Sequence, residues 1–344
     1  MPAPLVLAVI LSCAALCAAA PLPTYSDLMR TMGAFQESRM LLTAVELDVF
    51  TAVGTGAPAA RVAASLKTDP RATETFLNAL VAMGALTKRG DVFHNTPDTA
   101  RYLVAGSPDC ARGALMHTVH MWTGWNGLTE SVRRGTAVAR PGVEGGDAKW
   151  TESFIAAMHR GAGTAAAALV RVVGAEGVRR MLDVGGGSGA YSIAFARANP
   201  ELRAEVLDLR TVVPIARRHI EEAGLSGRVT ARVGDLTKDD FGRGYDLVLL
   251  SSICHMLGPE ENRDLFRRCY RALAPGGRVA IRDFILEPDK TGPRQAALFS
   301  VHMLVNTRAG ATYSEEEYRE MLRAAGFGEI ARVTPGGGLI VARR

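Results

Sequence analysis

The stretch MLDVGGGSGAYS, from Met181 to Ser192, places four glycines within five positions, directly after an apolar run that ends in an acid. Glycine inside a helix or strand costs about 0.5–1 kcal/mol relative to alanine, so a cluster of glycines needs a reason. A tight turn from a strand into a helix is one reason. A backbone that must lie against a ligand is the other, and the glycines alone do not separate the two.

The segments on both sides of the glycines alternate between short apolar runs and helical patterns. Strands that alternate with helices predict a parallel sheet covered on both faces. The sequence therefore predicts an α/β, doubly wound, Rossmann-like domain over residues 149–344, entered through a long helix from Lys149 to Gly174. The runs typical of strands are RRMLDVG, AEVLDL, RVTARVGD, YDLVLLSS and GRVAIRDFIL, followed by two C-terminal strands in FGEIARVTPGGGLIVARR.

In an open α/β sheet, ligands bind at the carboxyl ends of the strands, next to the first strand-to-helix turn. VGGGSGA matches the dinucleotide pattern G-x-G-x-x-A, so an NAD-dependent oxidoreductase is one alternative. The longer pattern D-x-G-x-G-x-G instead favours a carboxylate aimed at a cationic ligand. The residues of this longer pattern are Asp183, Gly185, Gly187 and Gly189.

Candidate ligand contacts also follow the next strands. Asp208 ends the second strand, where a carboxylate can accept hydrogen bonds from both hydroxyls of a ribose. Asp235 follows the third strand and can accept from an adenine amino group, while Leu236 packs on the ring. With Leu209 and Ser251 at neighbouring strand ends, these residues predict a nucleotide-type ligand without phosphates.

Residues 23–148 have a mainly helical pattern that ends in a hairpin. The segment 69–86 predicts a helix with Asp69 as N-cap and Pro70 at its first position. The segment LTKRGDVFHNT then predicts a hairpin that turns at Gly90 and Asp91. Two short helices, a longer one and a hairpin are typical of a winged helix-turn-helix.

The recognition helix of this winged-helix domain offers one basic side chain, Arg71. A helix that enters a DNA groove needs several groups for phosphates and base edges. The sequence therefore predicts no nucleic-acid partner and favours a role in dimerisation or in covering a substrate. A winged-helix regulator that senses a metabolite stays an alternative.

The chain of 344 residues is 48% hydrophobic and 22% charged, as expected of a globular protein. Its formal net charge of +5 is spread along the chain, so nucleic-acid binding gains little from it. The cysteines are odd in number and lack metal-site spacing, which predicts reduced thiols, no disulfide framework and no metal. They are Cys13, Cys17, Cys110, Cys254 and Cys269.

Residues 1–22 form an apolar N-terminal extension, with an uncharged run from Leu5 to Ala20. This run is short for a membrane span of about 20 residues, and no Lys or Arg precedes it as in a signal peptide. A start upstream of the true domain or a simple hydrophobic first helix is favoured, which predicts a cytoplasmic protein. An exported or membrane-associated protein is the alternative.

From about Pro23 to Arg344 the chain resembles the small-molecule O-methyltransferases of the hydroxyindole and caffeate type, including bacterial tailoring enzymes of secondary metabolism. The resemblance implies S-adenosylmethionine as cofactor, a small aromatic acceptor, and a homodimer built by the N-terminal domain. N- or C-methylation, or tailoring without methyl transfer, stays an alternative. The motifs that carry the resemblance are, in order, FQESRMLLTAVELDVF, the winged helix, ESFIAAMH, LDVGGGSG, ICHMLGPEE, ALAPGGRVAIRDFIL and YREMLRAAGF.

A histidine and an acid occupy the positions at which this family places its catalytic base and the partner of that base. His255 follows the fourth strand in SSICHM, and Asp283 lies in IRDFIL. A phenol with a pKa of about 10 needs a base to remove its proton as the methyl group transfers, and histidine suits this role near neutral pH. A second acid of the family falls on Thr312, so the resemblance implies His255 as base and leaves Asp283 open as orienting partner or strand-end residue.

Candidate residues for the wall of the acceptor pocket predict, if they line it, a flat and largely apolar acceptor, since methionines adapt to aromatic rings. In relatives, the position of Met158 contacts the substrate. His302 is either a second polar contact or a packed helix residue, and the latter is favoured. The candidate wall residues are Trp122, Trp125, Met158, Phe299, Met303 and Asn306.

Overall fold

The computed structural model describes residues 22–138, 148–333 and 338–344. The apolar run from Leu5 to Ala20 therefore lies outside the described residues. Within the described ranges, no helix combines the length and hydropathy that a bilayer crossing requires. Cys110, Cys254 and Cys269 are free thiols in the structure.

The N-terminal part of the chain consists of short helices around a small antiparallel sheet with strand order β1-β3-β2. Its own apolar cluster includes Phe50, Leu77 and Phe93. The elements are α1 (Tyr25–Gly33), α2 (Phe35–Glu46), α3 (Val49–Val53), β1 (Ala57–Pro58), α4 (Ala59–Leu66), α5 (Pro70–Ala82), β2 (Leu86–Arg89), β3 (Val92–Asn95) and α6 (Pro97–Leu103).

The local signals in this part are confirmed. The Asp69 side chain accepts from the Ala72 amide at 2.8 Å and caps α5, and β2 and β3 pair across Gly90 and Asp91. The structure differs in one place, since the first long helical pattern is split into α2 and α3. The break occurs at Asp48, which has a left-handed backbone (φ 63°) and an ion pair with Arg112 at 3.1 Å.

A second group of helices joins the two parts of the molecule. These are α7 (Arg112–Asn126), α8 (Leu128–Arg134) and α9 (Ala148–Val173). The predicted long helix is confirmed as α9, which packs on α7 and also on the first helix after the glycine stretch. Because α9 contacts both parts, the proposed domain boundary between residues 148 and 149 stays a prediction.

The C-terminal part is a seven-stranded sheet with order β11-β12-β8-β7-β4-β5-β6. Strands β4 to β8 are parallel, and β11 and β12 form an antiparallel edge. The elements are β4 (Arg180–Val184), α10 (Ala190–Ala198), β5 (Arg203–Asp208), α11 (Val213–Glu222), β6 (Val229–Val233), β7 (Tyr245–Ser251), α12 (Pro259–Ala272), β8 (Leu273–Arg282), β9 (Ile285–Leu286), α13 (Arg294–Asn306), β10 (Tyr313–Ser314), α14 (Glu315–Ala324), β11 (Gly328–Arg332) and β12 (Leu339–Arg343).

The doubly wound fold is confirmed. Helices cover both faces of the sheet, with one apolar cluster on the side of α12 and α14 and another on the side of α9, α10 and α11. The chain runs outward from β4 to β5 and β6 and then returns to β7 on the other side of β4. Such a reversal opens a crevice at the carboxyl ends of the strands, where ligands bind.

Two features differ from the sequence-based expectations. The pattern LAPGGR predicts a glycine turn before the fifth strand, but Gly276 (φ 77°) lies inside β8, next to a register shift against β7. The glycines of PGGR therefore form an irregularity within the strand. A short parallel pair, β9 with β10, was not expected. It places Thr312 at the base of α13, where its hydroxyl donates to the Ala296 carbonyl at 3.1 Å.

Candidate active site

The glycine loop, residues 185–189, connects β4 to α10 at the carboxyl edge of the sheet. Gly185, Gly187 and Gly189 have positive φ values of 65°, 57° and 76°, which L side chains rarely adopt. A Cβ on Gly185 would also overlap the side chain of Ile253, and one on Gly186 would lie 2.6 Å from the Asp183 carboxyl carbon. The glycines therefore provide both the turn and a close approach of backbone to its neighbours.

Asp183 is fully buried beneath this loop. Its Oδ2 accepts from the Ser192 hydroxyl at 2.8 Å, while Oδ1 is buried without a hydrogen-bond partner among the described residues. Burial raises the pKa of Asp183 to about 7; the Ser192 hydrogen bond opposes this shift and the nearby Asp208 charge adds to it. A cationic group at this place would favour the ionised carboxylate, so the site fits a cationic ligand.

Asp208 at the end of β5 is tied to the same loop. Its Oδ2 accepts from the Gly187 amide at 2.8 Å and its Oδ1 accepts from the Leu209 amide at 2.7 Å. Burial raises the pKa of Asp208, and the two backbone hydrogen bonds oppose that shift. Each carboxylate oxygen keeps a lone pair for a further donor, which fits the hydroxyls of a ribose.

The remaining candidate cofactor residues are placed less directly. Leu236 lies 3.6 Å from the position that a Gly185 Cβ would take, so it borders the glycine loop. Asp235 accepts from the Thr237 amide at 2.8 Å and pairs with Lys238 at 2.9 Å, so its contact with an adenine stays a prediction. Ser251 ends β7 and pairs with Arg282 of β8, so its contact with the cofactor stays a prediction.

His255 lies in a one-turn 3₁₀ helix, Cys254–Met256, that follows β7. Its ring Nδ1 is 2.5 Å from Asp283 Oδ1, and its backbone amide donates to Asp283 Oδ2 at 3.1 Å. Both residues are buried. Since a carboxylate only accepts, Nδ1 donates this hydrogen bond, and Nε2 is the ring nitrogen of a neutral imidazole that can receive a proton.

Several residues that sequence reasoning missed hold this pair in place. The fully buried Asn262 donates to the carbonyls of Cys254 and Leu257, at 2.9 and 3.3 Å. A Cβ on Gly310 would overlap the His255 carbonyl, and one on Gly338 would overlap the Asp283 carbonyl. These contacts join segments that are distant in the sequence, so the local sequence around each residue does not predict them.

Aromatic rings line the approach to His255. Phe299 meets the imidazole edge-on with ring centroids 4.8 Å apart, and Phe284 stacks on Phe299 at 4.0 Å. His302 lies 5.3 Å from Phe299, and Trp125 stacks on His302 at 6.0 Å. A groove of about 460 Å³ runs along this wall, lined by Arg294, Gln295, Leu298, Phe299 and His302. Phe284 was missed, although it directly follows Asp283.

The structure places the other candidate pocket residues around the same helices. Met158 on α9 is 41% exposed, whereas Met303 on α13 is 5% exposed and belongs to the packed interior. Asn306 donates to the carbonyl of His302 at 2.8 Å and lies 3.0 Å from its ring Nδ1. Trp122 is engaged by the Arg39 guanidinium, 5.6 Å above its ring, so its contact with an acceptor stays a prediction.

Comparison with known proteins identifies the family of this fold and site. A family model described as an O-methyltransferase domain matches residues 131–328, and one described as an O-methyltransferase dimerisation domain matches residues 29–105. The chain is 36% identical over 317 residues to 3-hydroxy-5-methyl-1-naphthoate 3-O-methyltransferase of Streptomyces sahachiroi, covering 89% of this chain and 91% of that protein.

Two further relatives bear on the site. Over 160 residues, the chain is 41% identical to L-tyrosine C(3)-methyltransferase of Streptomyces lavendulae, which covers 46% of this chain and 44% of that protein. The solved structure of PigF with SAH is 28% identical and has a TM-score of 0.85, with 94% of this chain and 100% of that chain covered. The family decides between the NAD and S-adenosylmethionine alternatives left open by the glycine pattern. The chain belongs to the O-methyltransferase family and is an S-adenosylmethionine-dependent O-methyltransferase.

Proposed function

We propose that this enzyme transfers a methyl group to a hydroxyl of a small aromatic acceptor, with His255 as general base. The observation that carries the proposal is the buried His255–Asp283 pair at the carboxyl edge of the sheet, 2.5 Å between Nδ1 and Oδ1. Asp283 holds the tautomer in which Nε2 is free to accept a proton, and it stabilises the imidazolium that forms. The single acid bonded to His255 in the described ranges is Asp283, and Thr312 supplies no second one.

The residues around the glycine loop would hold the cofactor. S-Adenosylmethionine, when bound, supplies a methyl group activated by its sulfonium. The buried Asp183, whose Oδ1 has no hydrogen-bond partner among the described residues, would favour the positively charged part of the cofactor. Asp208 would accept from the ribose hydroxyls, and the N-terminus of α10 would bind the carboxylate. These residues would orient the cofactor relative to the acceptor, and such alignment lowers the barrier to transfer.

An aromatic acceptor is supported by the wall formed by Phe284, Phe299 and His302 beside His255. Offset stacking and edge contacts on these rings favour a flat ring system over a flexible aliphatic one. The relative from S. sahachiroi acts, by its name, on a hydroxynaphthoate. A fused, oxygenated ring of that size is therefore the first acceptor class to examine. The dependence on S-adenosylmethionine supports a cytoplasmic enzyme.

Methylation of carbon is the second candidate, because the C(3)-methyltransferase relative matches nearly half of this chain. A base beside a phenol serves either reaction, since a phenolate is nucleophilic at oxygen and at the ring carbons next to it. The acceptor atom distinguishes the two reactions and is identified by the position of the transferred methyl group in the product.

The proposal is tested by incubating the enzyme with methyl-labelled S-adenosylmethionine and a panel of phenols, indoles, phenazines and polyketide aromatics. We expect label in products of the phenolic members, read by mass spectrometry, and none in their methyl ethers, which lack a free hydroxyl. Transfer to amines alone, or to no member that carries a hydroxyl, would contradict the proposal.

Replacement of Asp208 by alanine should weaken binding of S-adenosylmethionine at least tenfold, measured by calorimetry. The change removes acceptors for two charge-assisted hydrogen bonds, each worth about 1.5–3 kcal/mol, and it frees the Gly187 amide of the loop. Asp289→Ala, in an exposed turn, is the matched control and should bind as the wild type does. Unchanged affinity in Asp208→Ala would place the cofactor elsewhere.

The dimerisation domain supports a homodimer built on α1 and α2. In the single chain α1 buries no residue, and Leu28, Met29, Met32 and Phe35 are between 48% and 60% exposed. Such a contiguous apolar face marks an interaction site. We expect a dimer by light scattering at micromolar concentration and a monomer after Met32→Glu, whereas Val172→Glu, an exposed apolar position on α9, should stay dimeric. A monomeric wild type would refute this proposal.

A further inference from the structure

Two histidines outside the His255 site meet next to the glycine loop. The Nδ1 of His159, on α9, lies 2.8 Å from the hydroxyl of Ser188. The ring of His159 stacks on that of His219, on α11, with centroids 4.1 Å apart and an angle of 13° between the planes. His159 thus contacts the glycine loop, and His219 packs the His159 ring against α11.

The loop residue in this contact is well placed to affect the cofactor. Ser188 is 3% exposed and lies between Gly187, whose amide is bonded to Asp208, and Gly189, which precedes α10. On the other side, His159 directly follows Met158, the candidate acceptor contact. The hydrogen bond between His159 and Ser188 therefore joins the cofactor loop to the helix that carries Met158.

We propose that His159 is a positioning residue that fixes the glycine loop through Ser188, and that protonation of the His159–His219 stack loosens the loop. The proposal rests on the proposed use of this loop for the cofactor. A contact with this geometry lets one helix set the positions of both methyl donor and acceptor. Loss of the contact between His159 and Ser188 should therefore lower the affinity for the cofactor.

The charges around the stack set its response to protons. From α11, Glu222 lies 3.3 Å from the Nδ1 of His219, and Arg218 pairs with Glu152 of α9 at 3.7 Å. On α9, Arg160 turns away toward Tyr102, 5.8 Å above that ring. Glu222 places a negative charge beside the stack, on the side of His219. A proton on His159 would lie at stacking distance from the His219 ring, and a charge there opposes it.

The direction of the pH effect follows from this arrangement. Burial, and then the charge on His219, lower the pKa of His159 below its usual value, while Glu222 opposes them. Because burial favours the neutral ring, the packing of His159 is most stable above the ordinary histidine pKa of about 6.5. It weakens as pH falls through the lowered value, where a charged ring becomes populated at this buried place. Cofactor affinity should weaken over the same window.

Three variants separate the hydrogen bond from the stack. His159→Asn places an amide near the position of Nδ1 and keeps the bond to Ser188 without a titrating ring. His159→Phe keeps the stack and removes the bond, and His219→Phe keeps the stack and removes the second charge. His94→Asn, in the N-terminal hairpin, is the control, since its ring contacts the Thr55 carbonyl instead.

The readout is the Kd of S-adenosylhomocysteine, measured by calorimetry between about pH 5 and 8, with the melting temperature of each variant. We expect His159→Phe to bind roughly three- to tenfold more weakly at neutral pH, the loss of one hydrogen bond. His159→Asn should match the wild type there and lose the weakening in acid. His219→Phe should shift that weakening to higher pH, because it removes the charge that lowers the pKa of His159.

Two results would overturn the proposal. One is an unchanged Kd and pH profile in both His159 variants. The other is an equal loss of affinity in both, in step with a lower melting temperature, which would indicate a merely structural role. Wild-type enzyme that binds no S-adenosylhomocysteine at any pH would instead refute the proposed function, and this proposal with it.

Discussion

Replacement of His255 by alanine should lower kcat by roughly 10²- to 10⁴-fold, the usual contribution of a positioned proton transfer. The affinity for S-adenosylmethionine should change little, because the ring lies on the side of the aromatic wall rather than the glycine loop. A phenol already ionised at the assay pH should be partly spared in the variant, because it needs no base.

The control for this change is His94→Ala, which removes a histidine of the N-terminal hairpin. Turnover of two phenols of unequal acidity, together with the melting temperature, separates the catalytic role from a structural one. If the variant is stable and turns over the less acidic phenol at nearly the wild-type rate, His255 is not the base. An equal loss on both phenols with a lowered melting temperature would also contradict the role.

Asp283→Asn should lower kcat by about 10²- to 10⁴-fold, comparable to the loss of an orienting carboxylate in other histidine-based sites. The amide nearly preserves the shape of Asp283 but can donate to Nδ1, which favours the tautomer whose Nε2 already carries a hydrogen. It also removes the negative charge that stabilises the imidazolium. Because Oδ2 accepts from the His255 amide, Asp283→Ala would in addition leave that buried donor unpaired and destabilise the fold.

The matched control is Asp289→Asn. Asp289 lies in an exposed turn, where its carboxylate accepts hydrogen bonds from the amide and the hydroxyl of Thr291. Steady-state kinetics and thermal unfolding should show lost turnover with a nearly unchanged melting temperature in Asp283→Asn and no effect in the control. An Asp283→Asn enzyme with normal kcat would show that Asp283 is only a strand-end residue and does not orient His255.

Local chemistry explains which parts of the fold could be predicted. Asp69 and Pro70 start a helix, Gly90 turns a hairpin, and apolar runs such as YDLVLLSS form strands buried on both faces, so each signal lies within its own element. The break at Asp48 could not be predicted in this way, because its left-handed backbone is held by Arg112, 64 positions along the chain.

The candidate site shows the same division. The glycine loop and Asp208 lie at strand ends, so the sequence pattern predicts their place. His255 and Asp283 are separated by 28 positions, and only the resemblance to the family predicts that they pair. The close approach of Gly338 to Asp283 requires β12 to pair antiparallel with β8. The contact of His159 with Ser188 requires α9 to pack on α10. Neither can be predicted from local sequence, because each depends on tertiary packing.

Methylation of an aromatic hydroxyl with His255 as base is tested most directly by identifying the atom that receives the methyl group. With ¹³C-methyl-labelled S-adenosylmethionine and an acceptor from the phenolic panel, NMR of the product assigns the labelled carbon to oxygen, nitrogen or ring carbon. We expect a methyl ether on the aromatic hydroxyl, formed by the wild type and by His94→Ala and strongly reduced in His255→Ala. A labelled methyl on nitrogen or carbon, or equal ether formation in His255→Ala, would contradict it.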